Sequence, residues 1–144
     1  MSTLVIGYGN SLRGDDGAGP AVAARLQDQP ALRVLAVHQL TPELAADIAQ
    51  AESVWFVDAW VGGDKPTVRS LAPAPVTLDH GWQPHVLMYL AKILYGASPQ
   101  AFQLLIPARR FDYGSSLSAP AEAGVAWAVE TIAGAVQEDR PCMR

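Results

Sequence analysis

Along this chain, strand-length runs of apolar residues alternate with stretches in which apolar positions recur at helical spacing. The runs at 3–7 (TLVIG), 33–38 (RVLAVH), 53–58 (SVWFVD) and 101–106 (AFQLLI) are of the kind buried on both faces of a parallel sheet. Residues 18–27 predict a helix that tolerates Pro20 only because it falls in the first turn. A second helix is expected over 41–50, with Thr41 at the N-cap, Pro42 at the first helical position and Glu43 in the first turn. Residues 62–66 (GGDKP) predict a turn, and 67–71 an edge strand returning beside the third strand. The Pro-rich segment 72–83 reads as irregular. A helix over 84–95 is closed by Gly96, and Pro107 ends the fifth strand. After a loop at 114–118 comes a last helix, 119–137, whose Val125, Ala128, Val129, Ile132 and Val136 share one face. The pattern predicts one α/β domain over 1–144, a three-layer α/β/α sandwich with a central, mostly parallel five-stranded sheet, and 137–144 as a loose tail. Ligands of such sheets sit outside the carboxyl ends of the strands, where Asp15, Asp16, His38 and Asp58 fall.

Composition narrows the partners. With 144 residues the chain can bury ~70% of the surface it exposes when unfolded. A net charge of −4, with Arg109-Arg110 as the only local basic spot, argues against nucleic acid and anionic membranes as partners. The two arginines either pair with acids of a partner or, the expectation here, solvate the surface. No apolar run approaches the ~20 residues that cross a bilayer. Residues 1–7 lack the basic region and cleavage site of a signal peptide, so a soluble, cytoplasmic monomer is the expectation. The single cysteine, Cys142, excludes an internal disulfide and a Cys-based zinc site.

The opening loop, Gly7-Tyr8-Gly9-Asn10 followed by Asp15-Asp16-Gly17, carries the strongest chemical signal. A dinucleotide fingerprint fits Gly7 and Gly9, but Leu12 takes its third glycine position, two aspartates oppose a phosphate, and no Walker lysine is present. Helix capping accounts for Asp15. Asp16 stands between a second capping role and a functional one. Asp58 either binds loop amides at its strand end or faces Asp16 across neighbouring strand ends. Two such carboxylates share a proton or bind a cation. His85, at the start of a helix, is either a surface histidine or a neutral, metal-competent ring. His80 is its back-up, and His38 either lines the same crevice or bonds a loop. Asp16, Asp58 and His85 together suit a borderline divalent ion such as nickel or zinc with an open coordination position. There is no G-x-S-x-G motif, and Cys142 lies near the chain end, so a nucleophilic enzyme is not expected. Trp60 and Trp82 fall in loops near the cleft and suit a peptide surface, whereas Trp55 and Trp127 are expected in the core.

The run 7–19, GYGNSLRGDDGAG, resembles the opening motif of the nickel–iron hydrogenase maturation proteases. The resemblance continues at Phe56-Val57-Asp58-Ala59, at Pro84-His85 before an amphipathic helix, and at Ile106-Pro107, so it covers nearly the whole chain. It implies a single-domain α/β/α endopeptidase that removes a short C-terminal extension from a hydrogenase large subunit after nickel insertion. Asp16, Asp58 and His85 are then the catalytic and metal-gripping residues. The nickel belongs to the partner, a nickel-loaded large-subunit precursor, and is not a resident cofactor. Two departures stand out. Many members carry Glu where this chain has Asp16. Many also have an Asp-Gly-x-Thr segment where this chain reads His38-Gln39-Leu40-Thr41, a version resembling the subgroup that serves bidirectional NAD-linked hydrogenases. That segment is the expected substrate-specificity element. Two rivals remain: a non-proteolytic, metal-binding chaperone for the precursor, and a general metallopeptidase with its own metal.

Overall fold

The computed structural model describes residues 2–75 and 82–139. Its elements are β1 (Thr3–Tyr8), a 3-10 turn (Gly14–Gly17), α1 (Ala18–Leu26), β2 (Leu32–Val37), α2 (Leu44–Ala49), β3 (Ser53–Trp60), β4 (Thr67–Leu71), α3 (Pro84–Tyr95), β5 (Gln100–Pro107) and α4 (Ala119–Asp139). The five strands form one sheet in the order β2-β1-β3-β5-β4. Every pairing is parallel except β4 with β5. The three-layer α/β/α sandwich with a mostly parallel sheet is therefore present.

Side chains alternate across β1 because successive residues of a strand face opposite ways. Leu4 and Ile6 join Phe56, Leu44, Ile48, Leu87 and Met88 under α2 and α3. Val5 joins Trp55, Val57, Leu104, Val22, Leu26, Val125 and Ile132 under α1 and α4. Both faces are covered, which is why these strands read as continuous apolar runs. Trp55 is in the core, stacked on Phe102 with ring centroids 4.6 Å apart. Trp127 is not: it is 40% exposed on the outer side of α4, opposite the buried line Val125, Ala128 and Ile132.

Gly7 lets α1 lie directly on the sheet. A Cβ there would stand 2.1 Å from the Gly19 carbonyl oxygen, on the helix backbone. Gly7→Ala is expected to destabilise the fold by ~2–3 kcal/mol through overpacking, read as a lower denaturant midpoint with an unchanged slope.

Most element ends differ from the sequence expectation by one residue, and four differences matter more. β3 runs two residues further, to Trp60, so Asp58 and Trp60 lie within the strand. β4 pairs with β5, not β3, because β5 inserts between them. Thr41 does not cap α2, which begins at Leu44 after a turn in which the Thr41 carbonyl accepts the Leu44 N–H. α4 continues to Asp139, and the expected tail beyond it lies outside the described residues. No helix among the described residues is long and apolar enough to cross a membrane.

Candidate functional site

The connection from β1 runs to β2 on one side, while β3 lies on the other, so the order of the sheet reverses between β1 and β3. Ligand crevices of α/β sheets form at such a switch point. The β1–β3 register pairs Gly7 with Val57, which sets Tyr8 beside Asp58 at the next position. Both lie on the α2/α3 side of the sheet, opposite Val57.

Asp16 reaches this place through the glycine loop. Gly9 has φ +142°, a conformation L side chains rarely adopt, and a Cβ there would lie 2.0 Å from the Asp16 carbonyl oxygen. The Gly9 N–H donates to the Val37 carbonyl at 3.1 Å, which holds the loop against the end of β2. Asn10 then donates its backbone N–H to Asp16 Oδ2 at 2.7 Å. The Asn10 side chain accepts the Leu12 N–H at 2.9 Å and closes an Asx turn. The Asp16 carboxylate is thus held by the backbone of its own loop.

Asp58 is half-buried, and its Oδ1 accepts the Ala59 N–H at 2.8 Å. Burial pushes its carboxyl up to about 6. The Ala59 N–H and the Tyr8 hydroxyl pull it down, and the charge of Asp16 adds to the rise. The Tyr8 hydroxyl is pushed well above its ordinary value by burial and then by Asp58, so Tyr8 stays protonated beside the carboxylate. Asp16 and Asp58 therefore sense one another, as two carboxylates in one crevice must.

His85 is the second residue of α3. Its carbonyl accepts the Ala74 N–H at 3.1 Å, which pins the segment after β4 to the helix start. α3 leads through Gly96 to the beginning of β5. Among the described residues no three His, Cys, Asp or Glu side chains stand close enough together to hold a metal ion. The fold brings the two aspartates within electrostatic reach of one another, and His85 forms no closed three-ligand set with them. His80 and Cys142 lie outside the described residues.

The segment after β2 divides. His38 and Gln39 are exposed beside the Gly9 loop, whereas Leu40 is packed in the core with Leu44 and Met88. Thr41 is half-buried, and its hydroxyl holds the Glu43 carboxyl below its ordinary value.

Asp15 corrects the sequence reading. It caps no helix, since neither the 3-10 turn nor α1 has a side-chain cap. It is fully buried. Its Oδ2 accepts the backbone N–H groups of Arg109 at 2.7 Å and Arg110 at 3.0 Å and the Ser118 hydroxyl at 2.6 Å. Its Oδ1 accepts the Ser118 N–H at 2.7 Å. Burial alone would raise its carboxyl, but the Ser118 hydroxyl and the three N–H groups outweigh burial and hold it below the ordinary value.

Both arginines are exposed, as expected, and each has partners on the surface. The Arg109 guanidinium donates to the Gly63 carbonyl and to Asp64, each at 2.9 Å, and Arg110 donates to the Leu117 carbonyl at 3.3 Å. Trp60 ends β3 with the Gly62-Gly63 turn closed over its indole, while Trp82 is 42% exposed in the approach to α3.

No protein-family model matches the chain, and no curated protein does. Solved structures match it over nearly its full length. The [NiFe] hydrogenase maturation protease HycI from Thermococcus kodakarensis superposes with a TM-score of 0.76 at 22% identity, over 94% of this chain and 92% of that one. The hydrogenase maturating endopeptidase HybD from E. coli gives 0.75 at 21% identity, over 97% and 94%. The hydrogenase 2 maturation peptidase from Thaumarchaeota archaeon SCGC_AB-539-E09 gives 0.72 at 24%, over 95% and 99%. This chain has their fold. At these identities the match establishes the arrangement of strands and helices.

Proposed function

We propose that this chain is an endopeptidase that removes the C-terminal extension of a nickel–iron hydrogenase large-subunit precursor, with the precursor's nickel as its recognition mark. The observation that carries this reading is the Asp16–Asp58 pair at the switch point of a fold shared with hydrogenase maturation proteases.

The donor chemistry suits the cargo. Two carboxylates and an imidazole are acceptable ligands for a borderline divalent ion. A cation between Asp16 and Asp58 relieves the repulsion that helps to hold the Asp58 carboxyl up. Asp16 and Asp58 bind the ion from the turn and from β3, and His85 joins them from the first turn of α3. Tyr8, protonated, orients Asp58. When bound, the nickel supplies Lewis acidity and a fixed anchor for the peptide beside it. Anchoring of this kind is worth several kcal/mol of barrier, ~7 or more in well-oriented cases. The shorter Asp16, in place of Glu, requires the precursor's ion to sit close to the glycine loop. His38 and Gln39, exposed beside that loop, are placed to select the precursor, in keeping with a partner from the bidirectional NAD-linked hydrogenases.

The test is an intact-mass measurement. Nickel-loaded precursor mixed with the purified protein is expected to lose one C-terminal fragment, leaving a single new large-subunit mass. A stable complex with no change in precursor mass would replace the peptidase by a chaperone. Equal cleavage of unrelated peptides would replace it by a general metallopeptidase.

A further inference from the structure

Asp15 is buried more deeply than any of the three proposed ligands, yet binding of the ion gives it no part. We propose that Asp15 is a positioning residue: it locks the loop after β5 onto the 3-10 turn and so fixes the Asp16 carboxylate at a set distance from Asp58. The inference rests on the reading of Asp16 and Asp58 as the gripping pair.

The loop after β5 spans the elements that carry the two aspartates. At one end the Ala108 N–H donates to the Trp60 carbonyl at 2.8 Å, two residues beyond Asp58 on β3. The Arg109 guanidinium secures the same end to Gly63 and Asp64, in the turn that follows β3. At the other end the loop meets the turn that carries Asp16. There the Asp15 N–H donates to the Arg110 carbonyl at 2.7 Å and the Gly14 N–H to the Gly114 carbonyl at 2.8 Å. The Gly114 N–H donates to the Leu12 carbonyl at 2.7 Å, and Arg13 forms a parallel bridge with Gly114. The Asp15 carboxylate closes the junction with four bonds, to Arg109, Arg110 and Ser118.

In a 3-10 turn successive side chains project ~120° apart, because three residues complete a turn. Asp15 can therefore point into the loop while Asp16, the next residue, points to the crevice. A slip of the junction would carry Asp16 with it, since the Asp16 N–H is bonded to the Arg13 carbonyl at 3.1 Å within the same turn.

Asp15→Asn keeps the volume but turns an acceptor into an NH₂ group facing N–H donors. Ser118→Ala is the milder change, removing the hydroxyl and leaving the Ser118 N–H in place. The reporter is the Asn10 amide, which is bonded to Asp16 Oδ2 and needs no activity to be read. In the full-length protein, Asn10 hydrogen exchange by NMR, taken relative to the Val5 and Ile6 amides of β1, is expected to quicken about tenfold in D15N, with Ni²⁺ binding by calorimetry weakened ~10–100-fold. S118A is expected to move both readouts in the same direction by less.

Should both variants melt earlier while relative Asn10 exchange and Ni²⁺ affinity stay at wild-type values, Asp15 is structural only and the proposal fails. Asp16→Asn tests the underlying reading separately. If D16N binds Ni²⁺ as well as the wild type, Asp16 is no ligand, while faster relative exchange of Asn10 in D15N still upholds the positioning role.

Discussion

Asp58→Asn is expected to reduce processing of a nickel-loaded precursor by ~10²-fold or more while making the protein harder to unfold near neutral pH. The two effects have one cause. The folded chain holds the Asp58 carboxyl at about 6 against an ordinary 3.8, chiefly because the group is buried. A carboxyl whose folded value is raised gives stability that is fully present below the unfolded value and is lost as pH rises through the folded one. The loss therefore falls between about pH 4 and pH 6, and above that window the ionised Asp58 burdens the fold by ~1–3 kcal/mol. Asparagine carries no such charge and keeps an oxygen for the Ala59 N–H. Denaturant midpoints should match at pH ~4 and favour the variant at pH ~7.5. A variant that is less stable at the higher pH, or that processes normally, would contradict this account of Asp58. A raised, costly charge retained beside Tyr8 and Asp16 is what a site that trades stability for binding looks like.

The second large effect is on the wild-type rate. A carboxylate ligand must be ionised before it holds a cation, so on the proposed reading a proton on Asp58 competes with the precursor's nickel. Under subsaturating precursor, processing is expected to be level above pH ~6.5 and to fall about tenfold per pH unit below about 6, following the Asp58 value. Initial rates across pH 5–8 measure this, with circular dichroism confirming that the fold persists. A rate that is flat down to pH ~4.5 would show that Asp58 need not be ionised.

Most of the layered fold was legible because its signals are local. The apolar runs of β1, β3 and β5 and the Pro84-to-Gly96 span of α3 carry their own period, start and stop, and α3 fell where expected. What the sequence concealed is long-range. The partner of β4 is set by β5, some 30 residues later, so no local pattern names it. Trp127 was set in the core for its size, although helical spacing already marked Val125, Ala128 and Ile132 as the covered face of α4 and leaves Trp127 off it.

The site divides in the same way. That Asp16 and Asp58 come together was legible because a glycine turn and a strand each deliver a carboxylate to the same sheet edge. Asp15 was misread as a cap because its partners lie 94 to 103 residues away, in a loop whose backbone donors leave no mark on residue type. Arg109 lies on the surface as expected, and what the sequence did not name is its pairing with the turn after β3. Leu40, counted with the specificity segment, is drawn into the core by its neighbours under α2.

The most direct test of the central claim compares one precursor in two states. Nickel-loaded and nickel-free large subunit, otherwise identical, are incubated with the protein, and the intact mass of each is followed in time. Loss of the C-terminal extension from the nickel-loaded form alone is the predicted result. Equal rates of cleavage for the two forms would contradict recognition of the ion by Asp16, Asp58 and His85.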